Sequence, residues 1–160
     1  MFYDYEIKNI EIIDSITVSN GITIGNEKFK SIDDRLMEGY KISLSNDNEN
    51  TRFIFILIDS ETRCCESYGY IESEDDISKF IGAKFDYMKI TDNTLNTKIL
   101  NEIGKFENED EFYTANAKFV DFYTNKGNFQ LAIYNAHNGY YGHQILILDT
   151  DTNYVLNDNI

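Results

Sequence analysis

The sequence contains no proline and no tryptophan, and only two cysteines and two histidines in 160 residues. Without proline, no linker is marked by that residue. Cys64 and Cys65 are adjacent, which is poor geometry for a disulfide between them. The fold must therefore rest on its core, and a chain of this length can bury roughly 70% of its unfolded surface. Positive charge is also scarce: 14 Lys and Arg stand against 28 Asp and Glu, a net charge of −14. Nucleic acid and anionic membrane both reward Lys and Arg, so neither is an expected partner. The start, "MFYDYEIKN", lacks a basic segment followed by an apolar one, and no stretch nears the ~20 apolar residues of a membrane span. A cytoplasmic protein with reduced thiols is expected.

Catalytic signatures are missing too. There is no Gly-rich phosphate loop, no G-x-S-x-G elbow, no C-x-x-C and no H-E-x-x-H. With both histidines in one short stretch, general-base chemistry has few candidates. No enzyme activity, cofactor or metal is expected.

What is present is a substantial apolar supply. The hydrophobic fraction is 42%, with 12 Tyr and 11 Phe. One domain over residues 1–160 is expected. "SITVSNGITIG" (15–25) reads as a hairpin, with Asn20-Gly21 able to form a type I′ turn. "SIDDRLMEG" reads as a short helix. Ser31 is its cap, Ile32, Leu36 and Met37 its apolar side, and Gly39 its stop. Tyr40, Ile42 and Leu44 alternate with polar residues as a strand. Phe53 to Ile58 are all apolar, which fits a strand buried on both faces. "RCCESYGYIE" continues as a strand, with Tyr68 and Tyr70 on one face. A second helix is expected from Ser73 to Gly82, with Ile77, Phe80 and Ile81 as its stripe. "FDYMKI" follows as a strand. Leu95, Ile99, Leu100 and Ile103 then recur at helical spacing up to Gly104. "AKFVDFYT" and "NFQLAIYN" read as a hairpin through Asn125-Lys126-Gly127, and "QILILD" as the last strand. The whole reads as α+β: a largely antiparallel sheet with two or three short helices.

Three regions could carry function. "HNGYYGH" (137–143) gathers both histidines. Read as a ligand pocket, it offers His137, Asn138 and His143, with Cys64 nearby. Read as a metal site, it falls short, because neighbouring cysteines on a strand point to opposite faces. Read as a turn, it is sufficiently explained by Asn138-Gly139 and Gly142, with Tyr140 and Tyr141 straddling a hairpin. The acidic stretches 72–76 and 107–111 lack the spaced loop of an EF-hand. The first suits a helix start and the second a solvated loop. Glu72, Glu74, Asp75, Asp76, Glu107, Glu109, Asp110 and Glu111, with Tyr140 and Tyr141, are the candidate contacts for a basic partner.

Cys-Cys-Glu, the "DDISKFIGAKF" segment and "F-Y-T-x-K-G…L-A-I-Y-N-x-H-N-G-Y-Y-G-H" together resemble a small uncharacterised domain common in phage genomes. The resemblance covers about 40–149, leaving 1–39 as an N-terminal hairpin and helix extension. It transfers no catalytic residue and implies a phage or mobile-element origin. By type, a small acidic phage protein is similar to anti-CRISPR proteins. The expected role is thus stoichiometric inhibition of a host defence nuclease, most plausibly Cas9, through its basic surface. The alternative is a module that binds or sequesters a nucleotide signal.

Overall fold

The computed structural model describes residues 4–18, 22–24, 27–29, 35–61, 66–72, 76–94, 114–137, 142–152 and 154–160. Period-two alternation governs nearly all of them, and they form strands β1 (Tyr5–Val18), β2 (Ile22–Ile24), β3 (Glu27–Phe29), β4 (Arg35–Ser45), β5 (Thr51–Asp59), β6 (Glu66–Glu72), β7 (Lys84–Thr94), β8 (Thr114–Thr124), β9 (Gly127–His137), β10 (Gln144–Asp149) and β11 (Tyr154–Asn159). Every pairing among them is antiparallel. The α+β expectation is therefore corrected: among the described residues the protein is all-β, with no α-helix and a single 3-10 turn at Ile77–Phe80.

Two of the expected helices are replaced, each for its own reason. In the first, β4 begins at Arg35, so the alternation of Tyr40, Ile42 and Leu44 extends back through Leu36 and Glu38 in unbroken register with β5. Gly39 does not stop a helix. It lies within the strand at φ +146, and a Cβ there would sit 2.1 Å from the Ile56 carbonyl oxygen. Only glycine permits this approach. In the second, Asp76 caps the 3-10 turn by accepting the Ser78 N–H at 3.0 Å, and only Phe80 is buried. One buried side chain gives a helix no stripe to bury, so the element stays one turn long. Gly82 follows at φ +80, which ends the turn as expected. The helix expected between Leu95 and Gly104 lies outside the described residues, as do Ser31 and Ser73.

Two expected hairpins also pair differently. β1 runs alongside β4, and β2 pairs with β3, so the segments flanking Asn20-Gly21 are strands with other partners. β9 and β10 are consecutive but not paired. β9 lies between β8 and β6, and β10 between β5 and β11. The strands on either side of "HNGYYGH" therefore do not form a hairpin with each other, and residues 138–141 lie outside the described residues. The β8–β9 hairpin does form as expected. Gly127 takes φ +112, and Thr124 Oγ1 donates to its carbonyl at 2.6 Å.

The nine-stranded sheet has the order β11-β10-β5-β4-β1-β7-β8-β9-β6. Its middle joint is narrow. β1 meets β7 only at Tyr5–Phe85 and Glu6–Lys84, whereas it follows β4 from Glu6 to Val18. The sheet folds over at this joint, placing β7-β8-β9-β6 across β11-β10-β5-β4-β1. The crossing is steep. Phe129 of β9 packs on Phe80 and Phe122 near β1, while Asn135, six residues on, reaches Ile160 just past β11. Orthogonal sheet packing of this kind buries one shared inner face. That face holds Ile7, Tyr40, Ile42, Leu44, Ile54, Ile56, Ile58, Val120, Leu131, Ile133, Ile145 and Ile147. Each such Ile or Leu stabilises the fold by ~1.5–3 kcal/mol. Met37, Phe55, Leu57, Leu146 and Leu148 are buried on the opposite face. The apolar run 53–58 is thus enclosed on both sides, as its composition implies.

Candidate functional site

The chemistry-bearing residues gather where β5 ends and β10 begins. Asp59 closes the apolar run of β5 and is buried. Its carboxylate accepts the backbone N–H of Glu61 at 2.9 Å and of Gln144 at 3.2 Å. His143 places Nδ1 2.8 Å from the Asp59 carbonyl oxygen and 3.4 Å from its Oδ1. A carbonyl can only accept, so Nδ1 carries the proton. Burial pushes the Asp59 carboxyl up, but the His143 hydrogen bond and the two backbone N–H groups outweigh it and pull it down to about 2.

His143 is 1% exposed and is held from two further sides. Tyr68 of β6 stacks on the imidazole with ring centres 4.1 Å apart, and its hydroxyl donates to the Ser60 carbonyl at 2.8 Å. The His143 backbone exchanges two hydrogen bonds with Ile160, at 2.8 and 3.0 Å. Asn135 Nδ2 donates to the same Ile160 carbonyl. This buried imidazole ties both layers together where β10 begins. A general base needs access to its substrate, and the geometry assigns His143 the work of a clamp.

Beside the clamp lies a more open acidic surface. Tyr70 of β6 meets Tyr40 of β4 edge-on, with ring centres 5.1 Å apart. Burial pushes the Tyr40 hydroxyl well up, and the adjacent Glu72 carboxylate, which accepts its hydrogen bond, adds to this. Glu38, two residues before Tyr40, has its carboxyl raised by partial burial and then by the charge of Asp14, with His143 opposing. Tyr70 is raised by burial and by the same two carboxylates. Glu38, Asp14 and Tyr70 therefore share one neighbourhood.

Of the residues singled out in the sequence, the structure brings some here and not others. His143 is the clamp, and Glu72 borders it through Tyr40. Asp76 is exposed and spends its carboxylate on the 3-10 turn. His137 is the last residue of β9, paired by backbone with Glu66 of β6 and Thr114 of β8. Cys64, Glu74, Asp75, Glu107, Glu109, Asp110, Glu111, Asn138, Tyr140 and Tyr141 lie outside the described residues. Even so, the Glu66–His137 register is informative. Cys64-Cys65 immediately precede Glu66, and 138–141 immediately follow His137. Glu66 and His137, 71 residues apart in sequence (137 − 66), each adjoin one of the two motifs and are partners in one strand pair.

Against this geometry the family can be stated. A family model described as "Domain of unknown function (DUF7448)" matches residues 23–147. The chain belongs to the DUF7448 family. Neither the curated proteins nor the solved structures contain a match to it. The family span takes in both motifs, Asp59, Tyr68, His143 and Glu38, while Asp14 and Ile160 lie outside it.

Asp59, Glu38 and Asp14 were not singled out by the sequence. The available signal was Asp59 closing an apolar run, since a carboxylate there must find donors once buried. Among the described residues, no group of three or more His, Cys, Asp or Glu gathers to hold a metal ion. No helix among them is long and apolar enough to cross a membrane.

Proposed function

We propose that this DUF7448 protein is a binding module that acts stoichiometrically on a protein partner with a basic surface. A small acidic inhibitor of a host defence nuclease, Cas9 being the concrete case, is the specific reading we favour. The observation that carries it is the excess of 14 negative charges. A surface of that sign repels phosphate and competes for sites that nucleic acid would occupy. The phage-type motif pair supports the same reading. The test is capture of the purified protein on a Cas9–guide complex, followed by a cleavage assay. Stoichiometric inhibition that weakens with salt is the expected result. No capture at about micromolar concentration removes the nuclease as partner.

A second reading, a module that binds a small molecule such as a nucleotide signal, draws support from one observation. Glu66 and His137, which adjoin the Cys64-Cys65 and Asn138–Tyr141 segments in sequence, pair at one end of β6 and β9. Native mass spectrometry of protein purified from cells checks it. A mass equal to the bare chain counts against it.

A further inference from the structure

We draw no further inference here: the strongest candidate, the surface patch on β7 and β8 where the half-exposed Tyr87 stacks on Tyr123 with ring centres 4.3 Å apart, carries nothing because nothing in the structure shows what covers it.

Discussion

The β5–β10 strand pair carries a buried carboxylate at each end, and the two ends neutralise it differently. At one end Arg52 grips Asp149 with two hydrogen bonds, Nε to Oδ1 at 2.9 Å and Nη2 to Oδ2 at 2.7 Å. The guanidinium lies about 5 Å from the rings of both Tyr5 and Phe85. Tyr5 in turn donates to Asp151, closing the corner. At the other end Asp59 has backbone N–H groups and an imidazole, and beyond it stand Glu38 and Asp14 with no cation among the described residues. One end is sealed by a charge-matched pair between aromatic faces. The other is held by dipoles, and among the described residues no Lys or Arg forms an ion pair with Glu38 or Asp14. The difference teaches that burial of a carboxylate in this strand pair is met in two ways, by a cation at one end and by backbone N–H groups and an imidazole at the other.

Breaking the sealed end should have the largest effect. Arg52→Met strands Asp149, whose side chain is 3% exposed, and should cost about 3–5 kcal/mol in chemical denaturation. The double variant Arg52→Met/Asp149→Leu should recover much of that loss, because no charge is then left buried alone. A single-variant loss under about 1 kcal/mol would mean that water reaches Asp149 and the end is not sealed. Next comes the root of the open end. Gly39→Ala drives a Cβ into the Ile56 carbonyl and should cost about 2–3 kcal/mol. A thermal melt unchanged by this substitution would show that β4 and β5 are not so close there.

The dipole-held carboxylate can be tested by pH. Asp59 titrates at about 2 in the fold against an ordinary value of 3.8. A depressed folded value stabilises the protein above the unfolded one, and that contribution is lost as pH falls through the folded one. Stability should therefore drop by on the order of 1–2 kcal/mol between about pH 4 and pH 2, after allowance for solvent screening. In Asp59→Asn that part of the pH profile should be flat. An unaltered acid limb in the variant would assign the loss to other carboxylates.

Much of the sheet was legible locally, because alternation and apolar runs are properties of neighbouring residues. Tyr40–Leu44, Phe53–Ile58 and the Asn125-Lys126-Gly127 hairpin all follow from it. The helix expected at Ser31–Gly39 shows where local reading fails. Ile32, Leu36 and Met37 satisfy helical spacing, yet Leu36, Glu38 and Tyr40 also satisfy period two. The unpaired edge of β5 decides between them, since an enclosed strand demands a neighbour on each side. The pairing of Glu66 with His137 was illegible for a related reason. Register between strands some 70 residues apart is set by the folding-over of the sheet at β1 and β7, which no short window contains. For the same reason the sequence singled out His143 but not Asp59, which depends on it.

The smallest expected effect separates the ends most finely. Glu38 has a raised carboxyl, through partial burial and then through Asp14. A raised folded value means that its contribution to stability is full below the ordinary carboxylate range and is lost as pH rises through the folded value. Wild type should therefore lose ground to Glu38→Gln as pH climbs from about 4 to 8, by no more than about 0.5 kcal/mol because the group is largely solvated. The two melting curves should converge in acid. Asp149 gives the opposite contrast, because its carboxylate is already paired with Arg52 and its removal should cost stability at neutral pH. If Glu38→Gln instead lost stability toward pH 8, Glu38 would be neutralised within the fold. The open end would then be as charge-matched as the sealed one.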